Sequence, residues 1–137
     1  MIYIGVDPDI DKNGVAVYDT QDNSLELSNL SFWDLIEEIE SYLVPITVII
    51  ESGHLISKSN WHGAKTKSTA AKIGKNVGAN HQVGRLLIEY CEHNGIKYKA
   101  VEPKGKIKAK IFNHIWRISK RTNQEQRDAA MLLISYK

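Results

Sequence analysis

Three features of this 137-residue chain predict an α/β fold built on one five-stranded mixed sheet with helices packed on it. The first 30 residues contain three short strand-like runs separated by turn signals. A fourth, β-branched run at 46–51 is reached only through an amphipathic helical segment, which makes it parallel to the first. Helical and extended patterns then alternate to the end, giving the order β-β-β-α-β-α-β-α-α.

Residues 1–8 form the first strand, with the apolar run Ile2-Tyr3-Ile4-Gly5-Val6 ending on Asp7. Pro8 and the polar residues Asp9 to Gly14 form a turn, and Asn13-Gly14 is a strong hairpin signal. Residues 14–19 return as the second strand. Asp22-Asn23 starts another turn, and Leu25, Leu27 and Leu30 mark a third strand over 24–30. Ser31 is the expected N-cap of a helix over 32–43, with Trp33, Ile36, Ile39 and Leu43 on its apolar face. The fourth strand, 46–51, is apolar until Glu51. Residues 52–62 read as a loop, and a helical region follows over 63–94, interrupted by Gly74, Gly78 and Gly84 and stopped at Asn94-Gly95. A fifth strand spans 96–102. A basic helix over 104–118 carries Ile107, Ile111, Ile115 and Ile118, and a last helix is capped by Thr122 or Asn123.

Length and composition point to a single domain, 1–137, with enough chain for a core. An apolar content of 42% and a charged content of 25% exclude disordered and fibrous classes. No apolar run reaches the roughly 18 residues of a spanning helix, and no signal-like N-terminus is present, so a cytoplasmic protein is expected, with no membrane partner. The lone Cys91 excludes an internal disulfide and reads as a core thiol.

Charge is strongly segregated. Residues 1–51 hold eleven acidic side chains against one basic, Lys12, whereas residues 52–137 hold seventeen basic against five acidic. Two windows lack acids altogether. One carries Lys58, Lys65, Lys67, Lys72, Lys75 and Arg85. The other carries Lys104, Lys106, Lys108, Lys110, Arg117, Lys120 and Arg121. Such surfaces attract polyanions through counterion release, although a lysine-rich solvated face has the same composition. Trp61, in the basic loop, could stack on a base or cover the edge of the core.

Two apolar strands ending on a carboxylate need a compensating charge, because desolvating an ionised group costs several kcal/mol. Glu125 and Asp128 add two acids at i, i+3, which share a helix face. Divalent metal is the common compensator, since Mg²⁺ takes oxygen ligands from a few carboxylates together with phosphate oxygens. His54, His62 and His81 lack zinc-ligand spacing. The bland readings are a turn role for Asp7, an ion pair of Glu51 with Lys58 or Lys104, and a helix-dipole role for Glu125. Asp9 and Asp11 read as solvated turn residues.

The segments Ile4-Gly5-Val6-Asp7-Pro8, Asn13-Gly14-Val15-Ala16-Val17, Ile49-Ile50-Glu51, Ala71 to Gly78, and Glu125-Gln126-Arg127-Asp128-Ala129-Ala130, in this order, resemble the RNase H-like fold of the retroviral-integrase superfamily. Within it the chain is most similar to RuvC-type Holliday junction resolvases. The resemblance implies catalytic, metal-binding roles for Asp7, Glu51, Glu125 and Asp128. It also implies two Mg²⁺ ions per site, with Mn²⁺ able to substitute, and a catalytic lysine for which Lys104 and Lys110 are the candidates and Lys106 or Lys108 the alternatives. The implied activity is cleavage of four-way DNA by a homodimer, leaving 5′-phosphate and 3′-hydroxyl ends. The DNA contacts expected from the basic windows and loop are Lys58, Trp61, Lys65, Lys67, Lys72, Lys75, Lys106, Lys108, Arg117, Lys120 and Arg121. The chain departs from the family pattern at Asp9, where glycine is usual, at Glu125, where aspartate is commoner, and at His54, where some members carry an aromatic residue. It is also shorter between 104 and 124. An RNA-processing nuclease of the same superfamily and a non-catalytic binder of branched nucleic acid are the alternatives; the Gly-Leu-Pro run expected of the former after strand four is absent.

Overall fold

The computed structural model describes residues 1–53 and 67–137, with the side chains of 67–77 excepted. Its elements are β1 (Ile2–Asp7), β2 (Asn13–Asp19), β3 (Ser24–Leu30), α1 (Phe32–Glu40), β4 (Ile46–Glu51), α2 (Lys67–His93), β5 (Lys97–Val101), α3 (Ala109–Trp116) and α4 (Gln124–Met131), followed by a 3₁₀ turn at Ile134–Tyr136. The five strands form one mixed sheet in the order β3-β2-β1-β4-β5. β1, β2 and β3 are antiparallel neighbours, whereas β4 runs parallel to β1 and β5 parallel to β4. This is the α/β architecture and element order expected from the sequence.

Side-chain alternation along the strands divides the core in two. On one face Ile4, Val6, Val15, Val48 and Ile50 pack with Leu35, Ile36 and Ile39 of α1 and with Leu87 and Cys91 of α2. On the other, Ala16, Tyr18 and Ile49 pack with Phe112 and Trp116 of α3 and with Ala129, Ala130, Leu132 and Leu133 around the end of α4. Gly5 and Gly14 lie on this second face. A Cβ at Gly5 would overlap the carbonyl oxygen of Ala129, and one at Gly14 would overlap the backbone of Glu125. Two missing side chains therefore let α4 lie directly on β1 and β2.

Several boundaries differ from the sequence reading for local reasons. Asn13 belongs to β2 and not to the turn, so the strand starts one residue before Gly14. The Asn13 side chain is fully buried, accepts a hydrogen bond from the Asp9 amide at 3.0 Å and donates to the Leu30 carbonyl at 3.1 Å, so it fastens the turn to both flanking strands. Ser31 does cap α1, its hydroxyl accepting from the Asp34 amide. That helix stops at Glu40, and its buried stripe is Leu35, Ile36 and Ile39; Trp33 and Leu43 are solvent-exposed. α3 is much shorter than 104–118 because residues 102–108 are irregular and Arg117 ends it in the left-handed region at φ 54°. Its buried residues are Phe112 and Trp116, while Ile111 is exposed. Asn123 caps α4 through a reciprocal capping box with Gln126. Among the described residues no helix is long and apolar enough to cross a membrane.

The glycine arrangement is checked by a pair of substitutions. Gly14→Ala forces a methyl group into the α4 backbone and should destabilise by about 1–3 kcal/mol in urea denaturation. Gly78→Ala, inside α2 with nothing within 4 Å of the added carbon, should stabilise by about 0.5–1 kcal/mol.

Candidate functional site

The parallel register that sets Val6 beside Ile50 also sets the next residues, Asp7 and Glu51, side by side where β1 and β4 end. By alternation both belong to the α4 face, as Gly5 and Ile49 do. The close seat of α4 on Gly5 and Gly14 brings in Asp128, which is 9% exposed. Three carboxylates from three elements thus converge at one end of the sheet.

Their charges are balanced from within the chain. Asp7 and Glu51 share a side-chain hydrogen bond. Burial, then the charges of Glu51 and Asp128, raises the Asp7 pKa from 3.8 to about 8, against the opposing influence of Lys106. Glu51 is also raised, chiefly by burial and with a further push from Asp128, while the Asp7 hydrogen bond and Lys106 oppose the rise. Asp128 is satisfied differently: the Lys106 ammonium donates to Oδ2 as an ion pair, and Gln124 Nε2 donates to Oδ1 at 2.8 Å. Partial burial lowers the Lys106 pKa, but the hydrogen bond to Asp128 and the charges of Asp128, Asp7 and Glu51 bring it above its ordinary value. The Asp7–Glu51 contact and one lysine therefore serve three acids.

Arg127 secures the lysine's segment. Its guanidinium donates to the Ile107 carbonyl at 2.9 Å, to the carbonyl and hydroxyl of Thr122 at 2.9 Å each, and to Gln124 Oε1 at 3.2 Å. It thereby ties the residue after Lys106 to the start of α4. On the other face, α2 passes close to the site. A Cβ at Gly84 would lie 3.5 Å from Pro8 Cγ, and one at Gly53 would overlap the His81 ring.

Asp7, Glu51 and Asp128 are brought together as a group, and among the described residues Lys106 is the basic side chain on them. Glu125 is exposed, with its backbone against Gly14. Lys104, Lys108 and Lys110 are exposed along the segment leading into α3. Arg117, Lys120 and Arg121 are also exposed. Arg117 and Lys120 lie toward the opposite end of the sheet, where Trp116 packs edge-on to Tyr18 and Lys120 donates to the Leu25 carbonyl at 3.4 Å. Asp9 Oδ1 accepts from the Asp11 amide at 2.9 Å, a turn interaction. His54, Lys58, Trp61 and Lys65 lie outside the described residues, as do the side chains of Lys67, Lys72 and Lys75. The sequence reading missed Gln124 and Arg127. The i, i+4 spacing of Gln124 to Asp128 was a legible signal, but nothing local marked Arg127 as a clamp.

Among the described residues no group of three or more His, Cys, Asp or Glu side chains is arranged ready to hold a metal ion. Asp7 is paired with Glu51, and Asp128 with Lys106 and Gln124. The donor chemistry nevertheless suits a hard divalent cation. All three groups offer carboxylate oxygens, and their mutual repulsion would be relieved by a cation between them.

A carboxyl with a folded pKa above its unfolded value holds its proton more tightly in the folded chain. The penalty from Asp7 is therefore absent below about pH 4, grows as pH rises, and is complete above about pH 8. Asp7→Asn should be more stable than wild type at pH 8.5, with the difference shrinking toward pH 5, when urea midpoints are compared in EDTA. Comparison with known proteins returns neither a matching family model nor a matching curated protein.

Proposed function

We propose that this chain is an RNase H-like, divalent-metal-dependent DNA endonuclease that cleaves four-way junctions in the manner of RuvC-type resolvases. The observation that carries this reading is the meeting of Asp7, Glu51 and Asp128, from β1, β4 and α4, on one face of a β3-β2-β1-β4-β5 sheet. No packing requirement explains three partly buried acids at one place, and desolvating them has a cost that a structural role would not recover.

In this reading Asp7, Glu51 and Asp128 hold Mg²⁺, or Mn²⁺ in its place, in two sites. The bound metal supplies activation of water and stabilisation of the leaving oxygen for in-line displacement at phosphorus. The chain's own residues do the rest. Burial of the acids keeps bulk water from screening them. Lys106, paired with Asp128, is a basic side chain at the acids and is suited to the charge of a phosphate. The exposed lysines of 104–110 follow the nucleic-acid backbone. Cleavage yields 5′-phosphate and 3′-hydroxyl ends, and paired incisions across a junction require two copies of the chain. Glu125, exposed and outside the cluster, is assigned a supporting place.

A second reading, a non-catalytic protein that binds branched nucleic acid, is favoured by one observation: Lys106 already neutralises Asp128. A labelled four-way junction separates the two. Wild type with Mg²⁺ should nick it, EDTA should abolish nicking, and Asp7→Asn, Glu51→Gln or Asp128→Asn should each lower the rate at least about a hundredfold. Glu125→Gln should stay within about tenfold of wild type. Nicking by Asp7→Asn at the wild-type rate would reject the nuclease reading, and junction binding that persists in EDTA without cleavage under Mg²⁺ or Mn²⁺ would establish the second.

A further inference from the structure

The ion pair between Lys106 and Asp128 occupies an oxygen that a metal at this site would need. Asp128 has two oxygens, and both are engaged: Oδ2 by the ammonium and Oδ1 by Gln124. The Lys106 side chain is 69% exposed although its partner is buried, at 8%. It belongs to the irregular stretch 102–108, whose backbone is fixed one residue later by the bond from Arg127 to Ile107. The ammonium, at the end of a flexible four-carbon stem, can therefore leave Asp128 for solvent without any change in the fold. An ion pair so exposed on one side is held weakly, and a divalent ion between three carboxylates competes well against a monovalent one.

We propose that Lys106 is an exchangeable internal cation: it holds Asp128 while the site is metal-free, and metal binding displaces it to where it meets a substrate phosphate. The proposal rests on the metal-site reading above and adds a specific coupling to it. Metal entry and lysine release are one event, so the phosphate-binding charge becomes available only in the loaded site. Before that, Lys106 limits the repulsion among acids that would otherwise stand uncompensated.

The test is calorimetric titration of Mn²⁺ into wild type and three variants at fixed pH and ionic strength. Lys106→Met should bind about five- to tenfold more tightly than wild type, because no resident cation must leave. Lys99→Met removes the same charge from an exposed position of β5 and should stay within about twofold, which separates exchange from a general field effect. Asp128→Asn should bind far more weakly. In a second readout on protein with ¹³C-labelled lysine, the Lys106 Cε resonance, assigned by its absence in Lys106→Met, should shift on Mg²⁺ addition and saturate with metal occupancy. Equal or weaker binding by Lys106→Met, a like gain in Lys99→Met, or an unmoved Lys106 resonance would overturn the exchange while leaving the metal site in place. Absence of Mn²⁺ binding by wild type would overturn the site and the exchange together.

Discussion

The rest of the structure depends on how closely α4 lies on the sheet. A helix normally rides on the side chains beneath it, which hold two packed helix axes about 8–10 Å apart and two stacked sheets about 10 Å apart. Here Gly5 and Gly14 remove those side chains at diagonal positions on β1 and β2, Gly5 opposite Ala16 and Gly14 opposite Asp7, and the backbone of α4 fills the space. Ala129 and Ala130, both fully buried, keep the helix's own side of the contact small. Asp128 precedes them directly, so the same small-residue contact that seats the helix also delivers a carboxylate to the end of β1. Packing and site geometry are one constraint.

That constraint creates an electrostatic problem the fold solves only in part. Three acids meet where burial weakens their hydration, and the chain answers by raising the pKa values of Asp7 and Glu51 and by placing Lys106 on Asp128. Ordinary cores avoid such clusters, because apolar residues of the same volume do as well or better. Local conflict kept in an otherwise consistent structure is the pattern expected where function sets the sequence.

Much of the frame was legible because its signals are local. Strand runs, the Ser31 and Asn123 caps and the parallel placement of β4 follow from periodicity and end chemistry within a few residues. Asp7 and Glu51 stood out because each ends an apolar strand. What failed to show was decided at a distance. The sequence cannot tell that Gly14 is empty to receive Glu125's backbone rather than to make a turn. Leu43 fits the helical period of α1, yet the chain leaves the helix at Glu40 on its way to Pro45 and β4, and Leu43 ends fully exposed. Among four lysines at alternate positions, only the fold selects Lys106, because which one faces Asp128 depends on a bond made by Arg127 twenty residues later. Glu125 and Asp128 share a helix face by spacing, but one turn of difference in height leaves the first in solvent.

The irregular stretch 102–108 carries this argument furthest. Its apolar spacing continues that of α3, and a helix running back through it would commit the Ile107 carbonyl to the amide of residue 111. Arg127 takes that carbonyl instead, and α3 begins with the bond from the Phe112 amide to the Lys108 carbonyl. The Arg127 fork, held also by Thr122 and Gln124, fixes the Ile107 carbonyl within this non-helical stretch. From it the Lys106 side chain reaches the buried oxygen of Asp128 while most of its length stays in solvent. A lysine fixed in a regular helix would present its ammonium from one direction only; on this segment its anchor is the carboxylate itself.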